Sequence, residues 1–411
     1  MTGDANALLA EIVGIGLDPA GGYARPVFSP AERELREWFV AHATRRGLDV
    51  ETDRNGILWA WWDAEGTTDR SGAVATGSHL DSVPGGGTFD GPLGVASALA
   101  AVDVLRARGV VPRRPLAVAV FPEEEGSRFG VACLGSRLIT GAVSPDRVRT
   151  LRDGDGRSYA DVSAAAGFDP GLIGADPERL ARLTAFVELH VEQGRGLADL
   201  AQPVALAGAI IAHGRWRVRI TGRADHAGAT LMADRQDPVV VASETVRALR
   251  SRVLESSDAR GTVGRFEVTP GGTNVIASSV DVWLDVRHRD DDVVRAIVAD
   301  VTAATVAAAA AEGCVVTVTE HSFSPTVEFD PTLRDAMAQV LPDAPVLDTG
   351  AGHDAGVLAS HIPTGMLFVR NRTGASHTPA ETADAVDVDA GVEALASVLE
   401  HLLLRSRSTH P

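Results

Sequence analysis

The 411-residue sequence predicts an α/β fold interrupted by an inserted α+β module, and three observations carry this. The first half alternates short apolar runs, which read as buried strands, with amphipathic helical runs. From about His213 the texture changes to half-exposed strands and two long helices. Their order is strand, helix, strand, strand, helix, strand, that of a ferredoxin-like unit. After about Val327 the first texture returns. The chain therefore reads as a discontinuous domain, residues 1–212 and 328–411, with a mixed sheet and covering helices, and an inserted domain over residues 213–327. Length agrees, because single cores stop growing at about 250–300 residues.

In order along the chain, Ser29 suits an N-cap and Pro30 a first helical residue for the amphipathic segment PAERELREWFVAHATRRG. Val74–Gly77 and Leu116–Phe121 read as buried strands, with an Ala-rich helix, Gly94–Arg108, between them in sequence. Phe186–His190 reads as a further strand. In the insert, Arg215–Thr221 alternates like a half-exposed strand and Asp237–Leu254 has helical spacing. Thr262–Thr269 and Val280–Arg287 follow as strands, then a long Ala-rich helix, Asp291–Ala311, and a strand, Cys314–Glu320. Beyond it lie a helix at Pro331–Val340, a strand at Gly365–Val369 and a closing helix, Asp389–Leu404.

Composition excludes several functions. A formal charge of -17 argues against nucleic acid or an anionic membrane as partner, since both need clustered cations to neutralise phosphate. The sequence has no lysine, which excludes a Schiff-base enzyme and a Walker-type phosphate loop. It also weakens a nucleotide-binding reading of Gly85–Gly87, as does the acidic Asp90 that follows. Only Cys133 and Cys314 occur, so there is no disulfide framework and no Cys-based zinc finger, and a cytoplasmic location is expected. The start, MTGDANALLAEIVGIG, lacks the basic segment and longer apolar run of a signal peptide. The apolar stretches near Val204–Ala212 and Val301–Ala311 read as too short to span a bilayer.

Metal-binding side chains recur at the ends of apolar runs: His79 in GSHLDSVPGGGTFDG, Glu124 and Glu125 in AVAVFPEEEGSRFG, His190 in FVELHVEQG and His377 in GASHTPAE. In α/β sheets the loops at strand carboxyl ends converge on one crevice, and the Gly-rich loop Pro84–Gly91 presents Asp90 to it. Any one of these histidines, alone, is an ordinary core or surface residue. Together they supply what two divalent cations need: a bridging carboxylate and terminal ligands for each ion. Asp90 is the expected bridge, with His79 and His190 on one metal and Glu125 and His377 on the other. Glu124 is the expected general base. Asp81 is placed to accept the second N–H of His79 and hold its tautomer. Histidine with carboxylates suits zinc first, with manganese, cobalt or nickel as alternatives.

At these residues the sequence resembles the amidase branch of the M20 metallopeptidase-like superfamily, which includes N-carbamoyl-L-amino-acid hydrolases, allantoate amidohydrolases and β-ureidopropionases. The resemblance is carried by GSHLDSVPGGGTFDGPLGV, EEEGSRFG, ELHVEQG, ADHAGAT, NVI, DVRH, GAGHDAG and SHTPAE. It implies the same ligands and the same base. It further implies a homodimer held through the inserted domain, which would act as a lid, with His226 reaching the partner's site as oxyanion stabiliser. Gln193, Asn274 and Arg287 would contact substrate, Arg287 as the fork for a carboxylate, and Gly352 and His353 would line the pocket. By chemistry alone Arg287 equally suits a surface ion pair and His353 a structural role. Ala277 and Leu231 stand where relatives often have proline, which bears on substrate identity. The implied activity is hydrolysis of a ureido C–N bond in an N-carbamoyl-L-amino acid, allantoate or a related ureido acid. The alternatives are an M20-type peptidase or aminoacylase and a non-catalytic binding dimer on the same fold.

Overall fold

The computed structural model describes residues 4–405. It divides into two compact units, one running up to Gly208 and again from Glu328, the other spanning Ala209–Val327. The strands are, in chain order, β1 (Asp49–Thr52), β2 (Leu58–Trp62), β3 (Ala73–His79), β4 (Leu116–Phe121), β5 (Leu183–Val191), β6 (Val204–Ile210), β7 (Ala212–Thr221), β8 (Asp225–His226), β9 (Arg260–Thr269), β10 (Val275–Ile276), β11 (Ser279–His288), β12 (Val315–Ser324), β13 (Val327–Glu328), β14 (Val346–Thr349) and β15 (Thr364–Val369). His213, where the texture of the sequence changes, is the second residue of β7.

The larger unit is a mixed α/β structure. Its sheet runs β1-β2-β4-β3-β5-β15-β6, with β14 also paired to β6. The central neighbours β4, β3, β5 and β15 are mutually parallel. The flanking pairs β1–β2, β2–β4 and β15–β6 are antiparallel. Every residue of β3, β4 and β15 is buried, as befits parallel strands covered on both faces. That continuity is why they read in the sequence as unbroken apolar runs. The edge strand β1, DVET, carries no such run; β2, LWAWW, does, yet neither was expected. Trp59 and Trp61 stack side by side on β2 at 6.0 Å.

Helices cover the sheet closely. Pro92–Ala107 buries twelve of its residues, and a Cβ on its Gly94 would come within 2.3 Å of the Leu189 carbonyl oxygen. Ala385–Leu404 packs against that helix and against β15. The helix at Pro30–Arg45 starts as its sequence predicts, with the Ser29 hydroxyl accepting from the Glu32 N–H at 3.2 Å. Within β3, Gly77 has φ +146°, and a Cβ there would lie 1.9 Å from the Ala119 carbonyl oxygen. Only glycine lets β3 and β4 pair at that point.

The smaller unit has a four-stranded antiparallel sheet, β12-β7-β11-β9, and two helices, Pro238–Glu255 and Asp291–Glu312. Numbered by appearance, its strands lie in the order 4-1-3-2 of a ferredoxin-like unit. The helix Asp291–Glu312 is long and apolar enough to cross a membrane by length and composition, a correction to the reading of its apolar stretch as too short. Here it buries Val294, Ile297, Val298 and Val301 in the unit's core with Val218, Ile220 and Val282 of the sheet. Thr245 and Thr305 join the two helices through their hydroxyls at 3.0 Å.

Candidate metal centre

Strand register brings the expected ligands together. His79 is the last residue of β3, level with Phe121 on β4. The β3–β5 ladder pairs Thr76 with Val187, so three residues further on His79 comes level with His190. Their rings stack with centroids 5.8 Å apart. Asp90 sits just before the helix Pro92–Ala107, and the turn into that helix is Gly91 at φ +86°, packed so closely that a Cβ would lie 2.4 Å from the His79 ring. Glu124 and Glu125 follow β4. Their turn is held because the N–H groups of Cys133, Leu134 and Gly135 donate to the carbonyls of Glu124, Glu123 and Pro122. His377 comes from the loop after β15, with φ +56°.

The hydrogen bonds assign the imidazole tautomers. Nδ1 of His79 lies 3.0 Å from the Asp81 carbonyl oxygen and Nδ1 of His190 lies 2.9 Å from that of Val191. A carbonyl only accepts, so each Nδ1 carries a proton, and in the neutral ring each Nε2 presents a lone pair. Both Nε2 atoms face Asp90 Oδ1, at 3.5 and 3.3 Å. The other Asp90 oxygen, Oδ2, faces His377 Nε2 at 3.4 Å, and that nitrogen lies 3.2 Å from Glu125 Oε2. His79 Nε2 is buried with no hydrogen-bond partner.

Buried lone pairs converging on a carboxylate repel one another unless a positive charge lies between them. Bonds of 2.0–2.1 Å to a tetrahedral zinc separate its ligand atoms by about 3.3 Å. The observed spacings of 3.2–3.5 Å match that edge length. His79, Asp90 and His190 form one such donor group, and Asp90, Glu125 and His377 another, with Asp90 common to both. The residues present therefore fit divalent cations.

The surroundings are strongly acidic. Burial holds the Glu124 carboxyl well above the usual range, reinforced by Asp354, Glu125 and Asp81 and opposed by His79. Its Oε1 accepts the Cys133 thiol at 3.4 Å, while Oε2 lies 3.7 Å from His79 Nε2. Burial likewise lifts Asp81 to about 7 and Glu123 and Asp354 to about 8. Burial pushes the His79 imidazole down, but Glu124, Asp90 and Asp81 outweigh it and hold the ring well above its ordinary value. For His353 burial wins, helped by His190, and keeps the ring neutral.

Asp81 differs from expectation. It does accept the second N–H of His79, but through its main-chain carbonyl; its carboxylate is 3.8 Å away and instead takes the N–H groups of Glu124 and Glu125 at 3.2 and 3.1 Å. Two residues past a strand end the chain curls back, bringing the carbonyl under the ring and leaving the side chain to fasten the next loop. Gln193 also sits in this unit, its amide donating to Asp90 Oδ2 and Ser376 Oγ, both at 2.9 Å. His353 packs edge-on against His190 at 4.5 Å, buried, and Gly352 beside it is exposed.

The remaining expected residues belong to the smaller unit. His226 and Asn274 are brought together there: β8 pairs with β10, with His226 opposite Val275, and the Asn274 carbonyl accepts from the Ala227 N–H at 3.1 Å. His226 Nδ1 accepts from the N–H groups of Gly228 and Ala229 at 3.0 and 3.2 Å, so its exposed Nε2 carries the proton. The Arg287 fork is closed on Asp285, at 2.7 and 3.0 Å. Leu231 is exposed and Ala277 buried.

Sequence reasoning missed four buried groups behind the ligands. Glu188 accepts from Ser78 and from the Ala355 N–H, and Asp354 from Ser136. Cys133 holds Glu124, and Glu381 accepts the N–H groups of Phe89 and Asp90. Glu381 lies in SHTPAE, Glu188 in ELHVEQG and Asp354 in GAGHDAG, motifs whose histidines drew attention while these carboxylates did not; nothing local in the sequence marks Cys133.

The chain is similar to known proteins over most of its length. Residues 75–401 match peptidase family M20/M25/M40. The chain is 36% identical to an N-carbamoyl-L-amino acid amidohydrolase of Geobacillus stearothermophilus over 94% of this chain and 95% of that protein. It is 33% identical to an allantoate amidohydrolase of Escherichia coli over 94% of each. A solved amidase of the hydantoinase/carbamoylase family from Burkholderia multivorans superposes with a TM-score of 0.87 at 29% identity, covering 98% of this chain and 99% of that one.

Proposed function

The chain belongs to peptidase family M20/M25/M40, and on that footing we propose that it hydrolyses the carbamoyl C–N bond of an N-carbamoyl-L-amino acid or of allantoate. The coarser part of this, a metal-dependent amidohydrolase acting on non-peptide C–N bonds, follows from its relatives. The substrate class is proposed from the relatives that act on N-carbamoyl-L-amino acids and allantoate, and the observation that supports a two-cation centre for it is Asp90, whose two oxygens face separate donor pairs, His79 with His190 and His377 with Glu125.

In this reading those residues hold two divalent cations, zinc first and manganese, cobalt or nickel as alternatives, whose Lewis acidity makes water a nucleophile near neutral pH. Glu124 takes a proton from the water that attacks the ureido carbon. It then returns that proton to the departing nitrogen, which breaks one C–N bond; the carbamic acid left behind loses carbon dioxide by breaking the other, so that the parent amine, ammonia and carbon dioxide result. Burial and the neighbouring carboxylates raise the proton affinity of Glu124, which suits a group that must accept a proton and then release it. Asp81 acts indirectly, through its grip on the Glu124 loop and on the His79 tautomer.

The smaller unit serves as lid and dimerisation domain in this proposal, with His226 completing the partner's site. Its Nε2–H, held in that tautomer by Gly228 and Ala229, is the donor a developing oxyanion needs. Gln193, Asn274, Arg287, Gly352 and His353 are the substrate contacts in this proposal, and Arg287 would exchange Asp285 for the substrate carboxylate. A reducing cytoplasm suits the free thiols of Cys133 and Cys314.

The test is a substrate panel on metal-free protein reconstituted with zinc or manganese: allantoate, several N-carbamoyl-L-amino acids, dipeptides and N-acetyl amino acids. Turnover of a ureido acid with release of ammonia is expected. Turnover confined to dipeptides or N-acetyl amino acids would replace the proposal with a peptidase or aminoacylase, and none at all with metal loaded would favour a binding protein.

A further inference from the structure

We infer that Glu381 is the positioning residue that assembles the metal centre, by clamping the loop that carries Asp90 to the loop that carries His377. This rests on the reading of Asp90 as the shared ligand. One carboxylate oxygen of Glu381, Oε1, accepts the successive N–H groups of Phe89 and Asp90, at 2.8 and 2.9 Å. The side chain is 5% exposed, and its Oε2 is buried without a hydrogen-bond partner. It is therefore nearly closed off from solvent, and its side-chain hydrogen bonds go to these two N–H groups.

The two loops are far apart in sequence, and each carries a donor for the same ion. Glu381 is four residues from His377, and its own N–H closes a turn onto the Thr378 carbonyl at 3.1 Å. A displacement at Glu381 is thus transmitted to the imidazole as well as to Asp90. Ser376, beside His377, makes a second and weaker link, its hydroxyl 3.4 Å from Asp90 Oδ2. The Gly-rich loop is shaped to admit the clamp: a Cβ on Gly87 would lie 2.3 Å from Glu381 Oε1 and 2.6 Å from its Cβ. Gly87 has no left-handed φ among the residues that do, so close approach, not backbone conformation, requires glycine there. This gives the PGGGTFD loop a task that composition alone could not reveal.

A hydrogen bond from a carboxylate to a ligand's backbone holds the ligand in its coordinating position, and losing such support costs roughly 10–100-fold in metal affinity. Zinc titrated calorimetrically into the metal-free full-length protein reads this directly. E381A should weaken the ion shared by Asp90 and His377 by about 10–100-fold. E381Q keeps one carbonyl oxygen that can accept both N–H groups and should stay within roughly tenfold of wild type. G87A retains the carboxylate but displaces it, and should weaken binding as E381A does; it also carries the test should E381A fail to fold. Wild-type zinc affinity in folded E381A or in G87A, or E381Q as weak as E381A, overturns the inference. D90A separates the two levels. If D90A loses zinc while E381A and G87A bind normally, this inference alone falls; if D90A binds two ions like wild type, the shared-ligand reading falls and the inference with it.

Discussion

Replacing Glu124 with glutamine tests the proposed chemistry with the least disturbance to the fold. The side chain is 8% exposed, takes the Cys133 thiol on Oε1 at 3.4 Å and holds Oε2 at 3.7 Å from His79 Nε2. Glutamine has the same shape, and its carbonyl oxygen can still accept the thiol. None of the expected ligands, His79, Asp90, Glu125, His190 and His377, changes. What disappears is the capacity to accept a proton, and general-base catalysis contributes about 10²–10⁴-fold. The rate constant kcat should therefore fall by that factor, equivalent to about 3–5.5 kcal/mol of barrier. KM should change little, because contacts made equally in ground and transition states remain. Steady-state assay of ammonia release on the best ureido substrate, with elemental analysis of the same preparation, reads both quantities. A kcat within tenfold of wild type with metal bound would refute the base assignment. Loss of the metal on substitution would instead make Glu124 a ligand.

Two further outcomes follow from the same geometry. If His226 acts across a dimer, E124Q and H226A are each inactive alone, yet mixed dimers contain one intact site and should recover roughly a quarter of the wild-type rate; no recovery after subunit exchange would place His226 in its own chain's site or outside catalysis. The buried carboxyls predict a pH effect in metal-free protein. Burial, then Glu188, lifts Asp354 to about 8, and burial, then Asp81, lifts Glu123 to about 8. Their folded-state affinity for protons exceeds that of the unfolded chain, so the folded state binds more protons and its stability falls as pH rises through the window from about 4 to about 8. Metal-free protein should melt at a lower temperature at pH 8.5 than at pH 6, and saturating zinc or manganese should remove most of the difference. Equal or rising melting temperatures in the metal-free series would contradict this.

The parts of the fold that were legible are those whose burial leaves a pattern in one dimension. Leu116–Phe121 was delimited to the residue, because a parallel strand covered on both faces is built mostly of apolar side chains and this one is wholly so. The helix at Pro30 was legible from its cap, and the insert from its order of elements. Strand β1 was not, since an edge strand mixes polar and apolar residues; β2 was passed over although LWAWW is apolar throughout, and β14 was passed over too. At the centre, the candidate donors were visible because histidines and carboxylates at the ends of apolar runs are chemically conspicuous. Glu381, Glu188, Asp354 and Cys133 were not: each acts on a residue remote in sequence, and a buried glutamate with a backbone partner reads in the sequence like any surface glutamate.

The sequence by itself determined which donors exist and that they stand where strands end, because composition and hydrophobic period are local properties of the chain. It also excluded lysine chemistry outright, and no fold can restore a missing side chain. Only the tertiary structure decided that His79 and His190 come level, that both turn Nε2 toward one oxygen of Asp90, and that His377 and Glu125 meet at the other side. Those relations depend on strand register and on which carbonyl lies under each ring, and both are set by pairing between segments that the linear order leaves independent.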